Sequence, residues 1–363
     1  MTKPRLIVVG PLPPPVHGVT VSTSLVLANP RLREHFAVAH LDTSDHRDGA
    51  NIGRWDLTNV YLGVRNLIWL VRLLRGGRGV IYLPISQSTG AFLRDSVFIR
   101  LARLAGWRIA IHLRGSEFGD FYKSQRAPYR WWARTALSRV SAAAVMGETL
   151  RDAFSGLVPD ERIVVVSNGT PPNNAAERNR DTQCVLVLTN LRRRKGVIEA
   201  VEAAQFTLRK VPSARFLFVG SWEDEALERE LKRSTDDTPR IEFLPPVSGP
   251  AKELLLASAG ILLFTPREPE GHPRVILEAM AAGLPVVTTD RGAIRETVNH
   301  GVTGYVLKDP DPAEITSRLV ELLENPDLHR RMSSAALSHY EAKYTQTAAD
   351  TRLADWLGNV AAR

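Results

Sequence analysis

Cysteine and long apolar runs are scarce in this sequence. Cys184 is the only cysteine, which excludes an intrachain disulfide and a cysteine-based zinc cage and favours a reducing cytosol. The most apolar helical stretch, 61–74, is interrupted by Arg65 and Arg72. It therefore falls short of the roughly 18 apolar residues that a membrane span requires. The N-terminus has neither the apolar core nor the cleavage site of a signal peptide, so we expect a cytoplasmic protein.

Extreme composition is also absent. Hydrophobic residues make up 44% of the 363 residues and charged residues 24%, which excludes disordered, collagen-like and coiled-coil classes. At roughly 100–200 residues per domain, this length predicts two globular domains.

The positive charge is unevenly distributed along the chain. Residues 1–170 hold 22 Lys and Arg against 12 Asp and Glu, a balance of +10. Since the whole chain has 47 against 39, the remainder holds 25 against 27, a balance of −2. The first half is therefore expected to meet an anionic partner, such as a phospholipid surface, a phosphorylated acceptor or nucleic acid.

Short β-branched apolar runs alternate with helical stretches along both halves of the chain. Helical spacing is seen over 92–105 and 129–140, and again over 197–210 and 275–282. This alternation predicts parallel sheets that are covered by helices on both faces. The predicted strands are Leu6–Gly10, Ala37–Leu41, Val80–Ile85, Arg108–Leu113, Ala142–Met146 and Ile163–Ser167, then Cys184–Thr189, Arg215–Val219, Ile241–Leu244, Ile261–Thr265, Pro285–Thr289 and Gly304–Leu307.

The polar stretch TPPNNAAERNRDTQ separates the two series of strands. Its Pro, Asn and charged residues cannot fill a core, and its length suits an interdomain linker. We therefore predict an α/β protein with two Rossmann-like domains, 1–170 and 184–340, that are joined by a linker, 171–183, and face each other across a cleft. The last segment, 341–363, is predicted as a helix that packs back on the N-terminal domain. Ligands are expected in the loops at the carboxyl edges of the strands.

The segment that begins at Thr265 places two carboxylates around the start of a predicted helix. Glu270 lies in the loop after a strand, and Glu278 lies on the helix that follows. A carboxylate can accept hydrogen bonds from two neighbouring hydroxyls, and backbone N–H groups at a helix start bind anions. The site would thus bind hydroxyls, an anion and hydroxyls in this order, which is the order of these groups in a nucleotide-activated sugar. The alternative is that Glu278 lies on a solvated helix face and that Glu270 is an ordinary polar loop residue.

The stretch EGHPRVILEAMAAGLPVV, from Glu270 onward, resembles the signature of the retaining glycosyltransferases of family 4. The resemblance covers nearly the whole chain and implies the two-domain fold called GT-B. It implies that Glu270 contacts hydroxyls of the donor sugar, that Glu278 holds the ribose, and that the amides between them meet the diphosphate.

One departure from this signature is local. The usual Phe-Gly after the first Glu-Gly is His272-Pro273 here, and Pro273 lacks an N–H group. The diphosphate is therefore expected to meet the amides of Arg274 and Val275 or nearby side chains. We assign this loop to donor binding: Gly271, His272, Arg274 and Val275.

A second motif, TNLRRRKGVIEAVEA, is basic and precedes the predicted helix 197–210. Lys195 lies beside the start of this helix, where charge and helix dipole attract phosphate. The family stretch reads G-R-L-x-x-x-K-G, in which Arg and Lys neutralise the diphosphate leaving group. Lys195 and Gly196 match this pattern, whereas Asn190 occupies the Arg position. The missing charge is expected from one arginine of the same loop: Arg192, Arg193 or Arg194. The alternative is a solvated basic patch.

A loop near the N-terminus is assigned to phosphate or acceptor. His17 and Gly18 occupy the positions where the family usually has Gly-Gly, and Gly18 precedes a helical stretch. A tight turn there can bring bare backbone close to a ligand. A proline-rich surface loop without a ligand is an equally supported alternative.

The loop after strand 108–113 is assigned to the acceptor side. Arg114 and Gly115 occupy the positions where the family often has His-Gly beside the reacting sugar. Arg114 is the expected cleft residue and cannot act as a base, and the resemblance implies that the departing phosphate serves as the base. His112 is interpreted as a core histidine.

No metal and no cofactor are expected. Asp309 and Asp311 are interpreted as a turn and a helix start rather than as a metal-binding pair. The resemblance implies transfer without a metal, with positive charge from the protein in its place. A dinucleotide oxidoreductase is disfavoured because no G-x-G-x-x-G follows the first strand of either series.

One stretch of the first half interleaves basic and aromatic residues. Such a composition on an exposed helix suits the headgroup region of an anionic membrane. The alternative is that the tryptophans are core and the arginines are solvated. The residues are Tyr129, Trp131 and Trp132 with Arg126, Arg130, Arg134 and Arg139.

These motifs together predict a metal-independent hexosyltransferase that transfers a sugar from a nucleotide donor with retention at the anomeric carbon, with Lys195, Glu270 and Arg114 as catalytic residues. The expected acceptor is a growing, lipid-linked surface glycan at the cytoplasmic face of the membrane. A nucleotide-sugar epimerase or hydrolase is an alternative, but it needs an acid–base pair that Arg114 does not supply. A nucleic-acid-binding protein is suggested only by the net charge of +8, and no binding module is recognisable.

Overall fold

The computed structural model describes residues 3–14, 18–45, 57–175 and 180–363. The chain divides into two compact α/β units, which we call the first and the second unit. The first unit contains the residues up to Ser167 together with Ala349–Arg363, and the second contains Asn168–Ala348.

The first unit is built on a six-stranded parallel sheet. Its strands are β1 (Arg5–Gly10), β2 (Ala37–Asp42), β3 (Gly79–Pro84), β4 (Arg108–His112), β5 (Ala142–Val145) and β6 (Ile163–Val165). They are arranged in the order β2-β1-β3-β4-β5-β6. Strand β1 lies inside the sheet and is buried from Leu6 to Val9, because a parallel strand that is covered on both faces needs a continuous apolar sequence.

Among the described residues, six α-helices of the first unit precede its last strand. They are α1 (Gly18–Ala28), α2 (Pro30–His35), α3 (Leu57–Leu74), α4 (Thr89–Leu104), α5 (Phe118–Ser124) and α6 (Ala127–Leu137). Helix α2 is capped by Asn29, whose side chain accepts hydrogen bonds from the Arg31 and Leu32 amides.

The second unit also has a six-stranded parallel sheet. Its strands are β7 (Cys184–Leu188), β8 (Arg215–Val219), β9 (Ile241–Leu244), β10 (Ile261–Phe264), β11 (Val286–Thr289) and β12 (Gly304–Leu307). Their order is β12-β11-β10-β7-β8-β9. The chain runs outward from β7 through β8 and β9 and then returns to place β10 on the other side of β7. The β7–β10 boundary is therefore the topological switch point of this sheet.

Eight α-helices complete the described part of the chain. They are α7 (Val197–Lys210), α8 (Glu225–Ser234), α9 (Gly249–Ser258), α10 (Arg274–Ala281), α11 (Ile294–Thr297), α12 (Pro312–Glu324), α13 (Pro326–Lys343) and α14 (Gln346–Ala362). Helix α14 returns to the first unit, where Leu353, Trp356 and Leu357 share a buried cluster with Leu6 and Val8 of β1.

All twelve predicted strands are present, with ends shifted by no more than two residues. The predicted class, α/β with two Rossmann-like domains, is confirmed. The units divide at Ser167 rather than within the predicted linker. The reason is local bonding, because the Thr170 amide donates to the Tyr344 carbonyl at 3.0 Å and the Gln346 amide donates to the Thr170 carbonyl at 2.9 Å.

Within the described part of the chain, no helix combines the length and the apolar content that crossing a bilayer would require. Cys184 is buried in the second unit, and this burial raises the pKa of its thiol to about 11. A thiol in this state is inert packing rather than a nucleophile.

Candidate active site

The loops that follow β7 and β10 meet at the switch point of the second unit. Gly196 has a φ of 74°, and a Cβ atom added there would lie 1.9 Å from the Thr265 carbonyl oxygen. Only glycine allows this backbone conformation together with so close an approach. The Arg267 amide also donates to the Arg194 carbonyl at 3.0 Å. The two loops that were predicted to bind the donor are therefore joined directly by their backbones.

Lys195 and Glu270 form an ion pair at this junction. The Lys195 ammonium donates to the Glu270 carboxylate, and 19% of each side chain is exposed. The Glu270 backbone is fixed from the other side, because Gly292 has a φ of 61° and its added Cβ would lie 1.8 Å from the Glu270 carbonyl oxygen. A cation and a carboxylate are thus held side by side at the carboxyl edge of the sheet, where they can still contact a ligand.

A second ion pair lies on the helices next to this junction. The Lys252 ammonium on α9 donates to the Glu278 carboxylate on α10 at 2.7 Å. Glu278 is largely buried, with 19% of its side chain exposed, so the alternative of a freely solvated helix face is not what the structure shows. Nothing in the sequence singled out Lys252, because it lies in an ordinary helical segment far from the recognised motifs.

The two ion pairs flank the start of α10. Glu270 precedes the first residue of this helix, Arg274, and Glu278 lies one turn inside it. Backbone N–H groups at a helix start attract anions, and each flanking carboxylate can accept from hydroxyls. The local order is therefore carboxylate, anion-binding amides, carboxylate, and a lysine accompanies each carboxylate.

His272 and Arg274 contact the chain segment that enters the second unit. The Asn168 amide donates to His272 Nδ1 at 3.1 Å, and the Asn168 side chain donates to the His272 carbonyl at 2.9 Å. The Arg274 guanidinium donates to the Gly169 carbonyl at 2.9 Å. These two side chains therefore hold the entry segment through Asn168 and Gly169. Gly271 is buried beside them.

The arginines of the loop after β7 differ in their surroundings. Arg193 pairs with Glu230 at 3.0 Å, and Arg194 lies 3.6 Å from Glu268, both at the exposed surface. Arg192 has its Nε buried without a hydrogen-bond partner among the described residues. Asn190, at the position of the family arginine, accepts a hydrogen bond from the Ser221 hydroxyl at 2.9 Å. Arg192 is thus distinguished from Arg193 and Arg194 by a buried N–H group that no described residue accepts from.

Arg114 lies in the first unit, after β4, in a buried polar network. Its guanidinium donates to the Tyr82 hydroxyl at 2.7 Å, and the same hydroxyl lies 3.0 Å from Nδ1 of His112. Burial, with a smaller contribution from the Arg114 charge, lowers the pKa of His112 well below its usual value. His112 is fully buried and neutral, which agrees with its interpretation as a core histidine.

The two candidate glycines of the first unit differ in how closely they are packed. A Cβ atom at Gly115 would lie 1.9 Å from the Gln87 side chain, so the loops after β3 and β4 touch there. Gly18 is the first residue of α1 and is exposed, with no atom within 4 Å of an added Cβ. His17 lies outside the described residues.

Among the described residues, no group of three or more His, Cys, Asp or Glu side chains is arranged to hold a metal ion. Asp311 caps α12 by accepting from the Ala313 amide at 3.2 Å, and Asp309 pairs with Arg291 at 2.8 Å. Asp311 therefore lies at a helix start, as the sequence suggested, and Asp309 is held in an ion pair.

Comparison with known families identifies the second unit. Residues 173–339 match the family model described as glycosyl transferases group 1. The second unit therefore carries the similarity to the group 1 glycosyl transferases. The resemblance seen in its motifs is confirmed at this level, and the matched residues include both ion pairs.

Named relatives match about half of this chain. The N-acetyl-alpha-D-glucosaminyl L-malate synthase of Bacillus anthracis is 30% identical over 49% of this chain and 45% of its own length. A GDP-mannose-dependent monoacylated alpha-(1-6)-phosphatidylinositol monomannoside mannosyltransferase of Corynebacterium glutamicum is 31% identical over 52% of this chain and 51% of its own. The matches thus span about half the length of these group 1 relatives.

Solved structures match over the whole chain. HepE of Anabaena, in complex with UDP and glucose, superposes with a TM-score of 0.74 at 18% identity, over 98% of this chain and 100% of that one. A glycosyltransferase from Rickettsia africae gives a TM-score of 0.76 at 14% identity over 99% of both chains. At such identities the likeness shows the fold alone, which is that of the GT-B glycosyltransferases.

Proposed function

We propose that this protein is a hexosyltransferase that moves a sugar from a nucleotide-sugar donor to an acceptor, with retention at the anomeric carbon and without a metal ion. The observation that carries the proposal is the pair of lysine–carboxylate contacts around the start of α10, Lys195 with Glu270 and Lys252 with Glu278. The group 1 family match and the fold shared with a UDP-bound protein support it.

Each residue of this set has a proposed role. Lys195, with Arg192 beside it, stabilises the diphosphate as negative charge develops on it in the transition state. Glu270 accepts hydrogen bonds from donor-sugar hydroxyls, and Glu278 accepts them from the ribose. The α10 amides bind the phosphates. Positive charge from the protein takes the part that a metal plays elsewhere, so EDTA is expected to leave turnover unchanged.

The proposed acceptor is a lipid-linked glycan, reached from the cytoplasmic face of a membrane. The +10 balance of residues 1–170 supports an anionic partner for the first unit. The corynebacterial relative, whose name describes a phosphatidylinositol monomannoside as its acceptor, is consistent with a lipid-linked one.

A thermal-shift screen with UDP, GDP and their sugar conjugates tests the donor part of this proposal. A cognate nucleotide at 100 times its Kd stabilises a protein by about 2.7 kcal/mol. We expect the nucleotides of one base, uracil or guanine, to raise the unfolding temperature of the wild-type protein. In Glu278→Ala, the same nucleotides should raise it much less. Failure of every nucleotide and nucleotide sugar to stabilise the protein would contradict the proposal.

A further inference from the structure

Helix α3 of the first unit exposes an apolar face to solvent. The exposed fractions are 65% for Tyr61, 52% for Val64, 47% for Ile68 and 51% for Trp69. Spacings of three, four and one residues place these side chains on one side of an α-helix. Single exposed apolar residues are common on protein surfaces, but four on one helical face form a patch of the kind that marks an interaction site.

The opposite face of α3 is fixed in the first unit. Asn66, Leu70 and Leu74 are buried at successive turns, with exposed fractions of 3%, 0% and 7%. The Trp107 indole also donates to the Leu74 carbonyl at 3.1 Å. Because this packing fixes the rotation of the helix, the apolar face points outward as a property of the folded unit.

The charges on α3 and on the residues that directly follow it are all positive. The segment 57–78 contains four arginines and no Asp or Glu. Arg72 and Arg75 are exposed, and the Arg72 guanidinium lies 5.6 Å from the centre of the Trp69 ring. Apolar side chains that are bordered by arginines match a layer whose interior is apolar and whose surface is anionic.

Helix α6, which the sequence suggested for membrane contact, is less suited to this role. The Tyr129 hydroxyl donates to the Thr89 carbonyl at 2.7 Å. The Trp132 indole donates to the Ser96 hydroxyl at 2.6 Å, and the Arg100 guanidinium stacks 3.7 Å from its ring. Trp131, with 67% exposure, is the one aromatic residue of the three that faces solvent.

We propose that the outward face of α3 is the surface by which this protein docks on an anionic membrane. The apolar side chains enter the boundary between headgroups and acyl chains, and Arg65, Arg72 and Arg75 meet lipid phosphates. Each basic residue near an anionic surface strengthens binding about fivefold, and added salt screens this part. This inference rests on the proposed function in one respect: the proposed lipid-linked acceptor lies in the membrane on which the protein docks.

Sedimentation of the full-length protein with vesicles tests the proposal. We expect the protein to bind vesicles that contain phosphatidylglycerol, to bind phosphatidylcholine vesicles much more weakly, and to dissociate as salt is added. The double variant Ile68→Ser/Trp69→Ser is expected to lose at least about tenfold in partitioning, because it removes two inserted side chains. The double variant Arg72→Ser/Arg75→Ser should lose the part of vesicle binding that depends on salt.

Trp131→Ser is the matched control, because it removes an exposed tryptophan of the first unit that lies on α6 instead of α3. It should bind vesicles like the wild type. If it abolished binding while the α3 variants did not, the docking surface would lie on α6 and the proposal would be overturned. Absence of vesicle binding by the wild-type protein would overturn it as well.

Two further measurements separate this proposal from its alternatives. Quenching by brominated phospholipid should fall in Trp69→Phe while sedimentation with vesicles is retained, since phenylalanine keeps the apolar contact but removes the fluorophore. A wild-type dimer that Ile68→Ser/Trp69→Ser converts to a monomer would instead assign this face to a second copy of the chain. Nucleotide-induced thermal shifts, measured on the same variants, should equal those of the wild type, so a failed membrane test leaves the donor assignment separately testable.

Discussion

At the scale of single residues, the lysine–carboxylate pairs are the main feature of the second unit. In each pair both side chains are mostly buried, so removing one member leaves a poorly solvated charge without its partner. A bound donor can take over such contacts, because phosphate replaces the carboxylate as partner of the lysine and hydroxyls replace the lysine as partners of the carboxylate.

Lys195→Ala should lower turnover by at least about tenfold, because a charge-assisted contact contributes roughly 1.5–3 kcal/mol and more where charge develops in the transition state. Steady-state rates with the nucleotide sugar found in the thermal screen would measure it. Arg193→Ala is the matched control from the same loop, since Arg193 pairs with Glu230 at the surface. Equal losses in both variants would mean that the loop acts only through its overall charge.

Glu278→Ala should weaken nucleotide binding and leave the fold intact. The reason is that its carboxylate is proposed to hold the ribose and supports no apolar core. Calorimetric titration would measure the change in Kd. Glu270→Ala should reduce turnover more than nucleotide affinity, because its proposed partner is the sugar. If Lys252 serves to orient Glu278, Lys252→Ala should weaken binding in the wild-type background and have no further effect in Glu278→Ala.

His112 should make the protein less stable in mild acid. Burial lowers the pKa of the folded-state imidazole below the ordinary 6.5, so below that pH the unfolded chain binds a proton that the folded chain does not. The free energy of unfolding should then fall with pH by up to about 1.4 kcal/mol per unit. Denaturant unfolding between about pH 7 and pH 5, above the range of ordinary carboxyl groups, would measure this slope. His112→Gln should reduce this slope without abolishing it, because burial also lowers the pKa of His329 and His339, and an unchanged slope would contradict the assignment.

At the scale of elements, two glycines allow the loops after β7 and β10 to lie where they do. Gly196 brings the loop after β7 against Thr265, and Gly292 supports the backbone of Glu270. Both have a positive φ, which an L-residue with a side chain rarely adopts. The position of the site therefore depends on close contacts between backbones. The side chains of Lys195 and Glu270 extend from the loops that these contacts hold in place.

Gly196→Ala should destabilise the second unit by at least about 1–2 kcal/mol, because alanine pays the penalty for the left-handed conformation and its Cβ meets the Thr265 carbonyl. Thermal or denaturant unfolding would show this loss. Gly358→Ala is the contrasting variant: it lies inside α14 with no atom within 4 Å of an added Cβ, and alanine there should stabilise by roughly 0.5–1 kcal/mol. A stability of Gly196→Ala close to that of the wild type would show that the loops can move apart.

At the scale of the whole molecule, the two units have separate proposed tasks. The second unit carries both ion pairs, and the first carries the positive charge and the apolar face of α3. Hydrogen exchange should therefore show that the cognate nucleotide protects amides around α10 and the loops after β7 and β10. Anionic vesicles should instead protect amides in α3. Nucleotide protection confined to the first unit would contradict this division.

The sequence by itself determined the local part of this description. Alternating apolar runs and helical stretches predicted all twelve strands, because the hydrophobic periodicity of a strand or a helix is a property of residues close together in the sequence. Lys195, Glu270 and Glu278 could be chosen because they lie in a loop after a strand or near the start of the helix that follows, where parallel sheets place ligands, and because their motifs resemble a known family.

Only the tertiary structure decided which side chains meet. Lys252 reaches Glu278 because α9 and α10 are neighbours in space, and no local pattern marks that contact. The same holds for the separation of Arg192 from Arg193, whose partner Glu230 lies on a different helix. It also holds for α3, whose apolar residues would be expected to face a core. Which face of a helix is covered depends on the elements packed against it, and these come from distant parts of the chain.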